Sequence, residues 1–542
     1  MKEIYYTYKN RLFWVLVIVF FPILLQIFYV GVGFLDFSNL KWEIYKGNRL
    51  ILFVLWVFIS IGIISIFRMK LTYLSIPIFI SLPVSIYTLV TKENIEYEVF
   101  AAISNTSLAE VIEFFSSFIV LIISGVFFIV FYSIYIFLLS PKVQGSEVFF
   151  LTKSKAFIIF FIGVLGMSLM YAYSRDTLYK TYPLSIPFYF KKYYKEMVLF
   201  KNEFNKIDYK FQGKNEYSDN DSLYILIIGE SARRQSMSAY GYERNTTPNM
   251  MDNINRTEIK SGVYDSVSSG ISTRLSVPLL LSTVNVINKE DLGSSPTLPH
   301  IFNDIGFQTK LISNQQAGGR NNDMIALISN KMKDFTYLSD SDDTRGYDVD
   351  IIPHIMTGET KKGRGTFMVI HLMGSHWKYN QRYPADFATF SGMGERVDTY
   401  DNSILYTDYI IGLVVDIIKE SNRPIQLFYT SDHGENLNDS GDGNYLHAIK
   451  EMTEYEVKVP FLFVSNLAFY NKYKNKVDRV LGRKYNPVSH DNISHTILGL
   501  AGIYDKNYYK KEYDLSAPEF SESKRYSINR RGEAIDIDLL FN

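Results

Sequence analysis

Hydrophobic and polar positions divide the chain near residue 175. Before it, five almost unbroken apolar runs, at 12–34, 50–67, 71–90, 114–139 and 156–173, are each about 18–26 residues long, enough for a helix to cross a hydrocarbon core of about 30 Å. The pattern predicts an α-helical transmembrane domain of five spans over 1–175. The first run lacks the small-residue cleavage site of a signal peptide and reads as an anchor. Residues 176–205 then mix Tyr, Phe and Lys, a composition that settles at the headgroup level with rings down and ammonium groups up, or that packs on a neighbouring domain. With the polar stretch 212–222 it predicts an interfacial helix and linker over 176–221. From 222 to 542 short β-rich runs recur, LYILIIG at 223–229, TKLIS at 309–313, TFMVIHL at 366–372, IQLFYT at 425–430 and PFLFVS at 460–465, with helix-length stretches between them. Strands this continuously apolar must be covered on both faces, so the second half is predicted to be an α/β domain with a mostly parallel central sheet.

Loop charge orients the predicted spans. Lys2, Lys9 and Arg11, then Arg68 and Lys70, then Lys142, Lys153 and Lys155 fall on one side, whereas the 91–113 loop carries Glu93, Glu96, Glu98, Glu110 and Glu113. Lys and Arg are retained in the cytoplasm. An odd number of spans starting inside delivers the α/β half to the outer face of the membrane. Lys41, Lys46 and Arg49 in the 35–49 loop run against this trend.

Composition narrows the chemistry. Lys+Arg and Asp+Glu balance at 56 each, so no basic field exists to hold nucleic acid. Cysteine is absent, which excludes disulfides, zinc-thiolate sites, thiol catalysis and any nucleophile made by oxidising a cysteine. Oxygen and imidazole remain. All eight histidines lie in the second half.

Ligands of open α/β sheets gather at the carboxyl ends of strands. Here LYILIIG runs into Glu230, TFMVIHLMGS into His376, and IQLFYTS into Asp432 and His433. Adjacent Asp432 and His433 can serve one metal ion if the chain turns after the strand, which Gly434 permits. With Glu230 they form two carboxylates and an imidazole, three ligands for a zinc-type ion with a fourth position open, the catalytic arrangement. A nucleophile would fill that position. Ser268, Ser269, Ser272, Thr273 and Ser276 cluster around Gly270, and a hydroxyl at a helix N-terminus beside a metal would favour the alkoxide. Composition alone does not choose among them, and an N-capping cluster is the alternative.

Five collinear stretches carry a resemblance: IIGESARRQSMSAYGYERNTTPNM (227–250), SSGISTRLSVPLLLS (268–282), HLMGSHWKYNQRYP (371–384), YTSDHGENL with YLHA (429–448) and SHDNISHTILGL (489–500). Together they resemble the phosphoethanolamine transferases of Gram-negative bacteria, five-span enzymes of the bacterial inner membrane. Their periplasmic zinc domain belongs to the alkaline phosphatase and sulfatase superfamily. The resemblance implies a sulfatase-like catalytic domain over 222–542 with Zn2+, one ion or two. Glu230, Asp432 and His433 would be ligands, with Thr273 both nucleophile and fourth ligand. It further implies that His376 and His447 bind the phosphoryl group or a second metal ion, and that Asn314, Gln315 and Arg320 contact the phosphoethanolamine head.

The implied reaction moves phosphoethanolamine from phosphatidylethanolamine to a lipopolysaccharide acceptor through a threonine ester, in a monomer that needs no nucleic acid. Lipid A-modifying members carry periplasmic cysteines, one beside the nucleophile, where this chain has Ser269 and Leu279. Core or O-antigen sugars are therefore at least as apt an acceptor as lipid A. Two alternatives use the same architecture: a phosphoglycerol transferase of the lipoteichoic acid synthase kind, and a non-catalytic membrane protein that binds a headgroup.

Overall fold

A computed structural model describes residues 153–173, 185–217, 221–315, 324–338, 346–356, 365–441, 445–448 and 451–541, together with Ala101. The chain divides into two compact units, Met1–Phe100 with Val111–Tyr193, and Ala101–Glu110 with Tyr194–Asn542. In the first, helix α1 (Lys153–Tyr173) contains the fifth predicted span and exposes Phe157, Ile158, Phe161 and Leu165. The other four predicted spans lie outside the described residues. Among the described residues no helix is long and apolar enough to cross a membrane. Helix α2 (Ser185–Phe204) lies in the stretch predicted to be interfacial. Its C-terminal Phe200 and Phe204 stack with ring centroids 5.4 Å apart and are buried in the core of the second unit, while Tyr194, Val198 and Leu199 are exposed.

An eight-stranded sheet organises the second unit. In chain order its strands are β1 (Leu223–Gly229), β2 (Ile259–Val267), β3 (Gln308–Ser313), β4 (Asp334–Tyr337), β5 (Thr366–His371), β6 (Ile425–Ser431), β7 (Lys458–Asn466) and β8 (Val488–Ser489). Across the sheet they run β8-β2-β7-β6-β1-β5-β3-β4. Only β7 is antiparallel to its neighbours, pairing Phe461 with Tyr264 of β2 and with Thr430 of β6. The other pairings are parallel, so β1, β2, β3, β5 and β6 all end at one edge.

Period-two alternation explains the unbroken apolar strands. Tyr224, Leu226 and Ile228 of β1 enter one core with Phe367 and Val369 of β5 and Phe461 and Phe463 of β7. The residues between them, Leu223, Ile225, Ile227, Met368, Ile370, Leu462 and Val464, enter a second core on the opposite face. Every side chain of β1 is therefore buried, because helices cover both faces. On the first face lie α3 (Thr273–Leu280), the helix Leu298–Asp304 and α5 (His490–Leu500). Phe302 of this layer stacks on Phe367 with ring centroids 4.5 Å apart. The second face is covered by α4 (Glu395–Glu420), through Tyr406, Ile410, Val414 and Ile418.

Candidate active site

Five chain segments meet beyond the carboxyl edge of the sheet. β1 ends at Gly229 and sets Glu230 in a buried position, while β6 ends at Ser431 and sets Asp432 and His433 beside it, all three buried. The Asp432 N–H donates to Gly229 O at 3.0 Å, which ties the two strand ends together. One ligating atom from each of Glu230, Asp432 and His433 lies within 4.8 Å of the others. His433 Nε2 is 3.4 Å from Glu230 Oε1 and 3.3 Å from Asp432 Oδ2. Its Nδ1 lies 2.8 Å from Gly434 O. A carbonyl only accepts, so the proton sits on Nδ1 and Nε2 is the nitrogen that faces the two acids.

Gly434 has a role other than the one its turn suggests. Its φ is not positive, but a Cβ there would run into the carbonyl oxygen of Tyr455. Close approach, not left-handed backbone, calls for glycine. Gly434→Ala is expected to lower stability by about 1–3 kcal/mol through overpacking, read as a reduced thermal midpoint of the full chain. An unchanged midpoint would show that the 455 segment yields at no cost.

The β2–α3 connection separates the hydroxyl cluster. Ser268, Ser269 and Ser276 are buried. Ser268 Oγ donates to Gly270 O at 3.0 Å, and Ser276 Oγ is 3.2 Å from Nδ1 of His490. Thr273, the first residue of α3, is partly exposed and brings Oγ1 to 3.2 Å from Glu230 Oε2 and 3.4 Å from His433 Nε2. Ser272 occupies the N-cap position in extended conformation, without a side-chain capping bond. Thus one hydroxyl of the five joins the acids and the imidazole.

The remaining candidates surround this group unequally. His447 sits with its ring centroid 4.0 Å from that of His433. Its Nδ1 is 2.8 Å from Glu435 Oε2, and Glu435 Oε1 accepts from Tyr379 Oη at 2.7 Å. His433, Glu435 and His447 form a second group able to hold a cation. His376 donates from Nδ1 to Trp377 O at 2.7 Å. Gln315 Nε2 donates to Glu230 Oε2 at 2.7 Å and to Leu372 O at 3.0 Å. Asn314 is buried, its Nδ2 committed to Asp348 Oδ1 at 2.8 Å. Arg320 lies outside the described residues. Residue type alone did not single out Glu435; its signal was a third carboxylate two residues beyond His433.

Charge is concentrated without a solvent outlet. Burial would raise Glu230, but the hydrogen bond and charge of His433, with His376 and His447 behind it, hold it well below the usual carboxylate range. Burial and the neighbouring Glu230 push Asp432 up to about 7. Burial opposes a charged His433, yet Asp432 and Glu230 raise it to about 10. Asp432 Oδ2 is buried with no hydrogen-bond partner. An orphaned carboxylate oxygen beside a second acid, an imidazole nitrogen and a hydroxyl is a donor set that fits a divalent cation of the zinc type.

The family model described as Sulfatase matches residues 222–503, just over half of the chain. The chain belongs to the sulfatase family. Among curated members it is 26% identical over 360 residues to the phosphoethanolamine transferase EptC of Escherichia coli (strain K12), covering 62% of this chain and 61% of that one. It is 26% identical over 337 residues to the phosphoethanolamine transferase CptA of Salmonella typhimurium, covering 58% and 57%. The match thus spans about three fifths of these relatives' length. Among solved structures, the C-terminal periplasmic domain of EcEptC from Escherichia coli in complex with Zn is similar with a TM-score of 0.56 at 25% identity, over 61% of this chain and 96% of that one. The integral membrane protein lipooligosaccharide phosphoethanolamine transferase A from Neisseria meningitidis shares the fold with a TM-score of 0.65 at 19% identity, over 92% and 97%.

Proposed function

We propose that this protein is a zinc-dependent phosphoethanolamine transferase of the bacterial inner membrane, anchored by five spans with its catalytic domain in the periplasm. The donor is phosphatidylethanolamine and the acceptor a lipopolysaccharide sugar or phosphate. The observation that carries the reading is the position of Thr273 Oγ1, 3.2 Å from Glu230 Oε2 and 3.4 Å from His433 Nε2. Support also comes from the relatives named phosphoethanolamine transferase and from the Zn complex named for the EcEptC domain.

Glu230, Asp432, His433 and Thr273 would hold the ion. When bound it supplies a Lewis acid that favours the Thr273 alkoxide and offsets charge on the phosphoryl group. Thr273 Oγ attacks phosphorus, the bond from phosphorus to the glycerol oxygen breaks, and diacylglycerol leaves with a proton. An acceptor oxygen then attacks the same phosphorus, the bond to Thr273 breaks, and the threonine regains a proton from the acceptor. His447, its Nδ1 engaged by Glu435, keeps Nε2 for a phosphoryl oxygen or a second ion, and His376, its Nδ1 engaged by Trp377 O, does the same. Gln315 holds Glu230 by one carboxylate oxygen.

The test is mass analysis of the Thr273 peptide after the full chain is incubated with phosphatidylethanolamine vesicles. A phosphoethanolamine adduct on Thr273 is expected. A glycerophosphate adduct formed from phosphatidylglycerol vesicles instead would assign the protein to the phosphoglycerol transferases, and no adduct from either lipid would leave a headgroup-binding protein.

A further inference from the structure

Four non-glycine residues among those described have positive φ: Ser231 at 56°, Asn438 at 75°, Leu446 at 66° and Ala448 at 56°. Leu446 and Ala448 flank His447, and Ser231 follows Glu230. Left-handed backbone costs a non-glycine residue about 1–2 kcal/mol, and such strain persists where the surroundings enforce it, commonly at functional sites. At 231 the enforcement is visible. Tyr400 of α4 donates its hydroxyl to Ser231 O at 2.7 Å and accepts the Arg233 N–H at 2.9 Å, both partners being buried.

The turn by itself would be better served by glycine, which adopts this φ without penalty. What glycine lacks is the hydroxyl. In its left-handed conformation Ser231 donates its N–H to Asp432 Oδ1 at 3.1 Å and its Oγ–H to Glu230 Oε1 at 2.8 Å. One buried residue thus grips the carboxylates of two different strand ends. Of the other oxygens, Glu230 Oε2 faces Thr273 and also accepts from Gln315 Nε2, and Asp432 Oδ2 faces His433.

We propose that Ser231 is a positioning residue that sets the carboxylate orientations of Glu230 and Asp432 for metal binding; this rests on the zinc reading of the site. Groups that orient metal ligands typically change affinity by about 10- to 100-fold when removed. Ser231→Gly is the decisive variant, because it keeps the N–H bond to Asp432, relieves the φ strain and deletes only the hydroxyl.

Zinc affinity of the full chain, measured by competition with a chelating dye, is expected to fall about tenfold or more in Ser231→Gly. The thermal midpoint of the metal-free variant is expected to equal or exceed that of the parent. In turnover, kcat is expected to fall with KM for phosphatidylethanolamine unchanged. Wild-type zinc affinity in Ser231→Gly, with the parent binding zinc more tightly than Asp432→Ala, overturns the role of Ser231 alone. A parent chain that binds zinc no better than Asp432→Ala overturns the metal reading beneath it.

Discussion

Thr273→Ala is expected to reduce headgroup transfer by about 1,000-fold or more, the scale on which loss of a nucleophile acts, while zinc still binds and the thermal midpoint is nearly unchanged. The effect is large because the buried serines of the same connection are not placed to substitute. Ser268, Ser269 and Ser276 are buried on the core side of the connection, two of them engaged by Gly270 O and His490. His490 is itself fixed: its Nε2 donates to Ser431 O at 3.0 Å, its Nδ1 accepts the Ser269 N–H at 3.2 Å, and burial lowers it to about 3, so it stays neutral. That pins the serines and leaves Thr273 directed at Glu230. Stability is spared because Thr273 begins a helix, is partly exposed and belongs to no core. Thr273→Ser, which keeps the oxygen, is expected to retain part of the rate. The measurement is single-turnover transfer from labelled phosphatidylethanolamine, and a wild-type rate in the alanine variant would move the nucleophile to Ser272.

How far such a site is legible in the chain depends on what each residue needs from distant ones. β1, β5, β6 and β7 could be read because a strand buried on both faces has few polar positions to interrupt it, whereas β3, half-buried at Gln308 and Lys310, could be read from its apolar end. β2 was missed: its IKSGVYDSV buries only some positions, so it shows neither an unbroken run nor clean alternation. The edge strand β4, largely exposed, and the two-residue β8 leave still less trace. Glu230, Asp432 and His433 stand directly after readable strands, so their convergence could be inferred from topology alone. The choice of Thr273 among five hydroxyls could not, since it depends on where α3 starts relative to β1; only the resemblance named it. Ser231 and Glu435 act through a turn conformation and a hydrogen bond, neither of which has a sequence period.

His433→Ala carries the second large expectation: zinc affinity lower by more than about 100-fold, beyond the range for an orienting group, and transfer lost with it. His433 is fully buried between Glu230 and Asp432, and its ring is oriented by Gly434 O before any ion arrives. Alanine removes one donor and leaves the two acids facing each other in a dry site. In the metal-free protein the protonated imidazole now offsets their repulsion, and breaking a buried ion pair on one side costs about 3–5 kcal/mol. The metal-free variant is therefore also expected to melt at a lower temperature than the parent. His447→Ala separates the two effects, because that ring is only partly buried and its partner Glu435 keeps the Tyr379 hydroxyl. Its zinc content at Glu230, Asp432 and His433 is expected to persist while turnover falls, as the phosphoryl group loses an imidazole. Metal analysis of the purified full chains decides the matter: parent-level zinc in His433→Ala would take the imidazole off the ligand set.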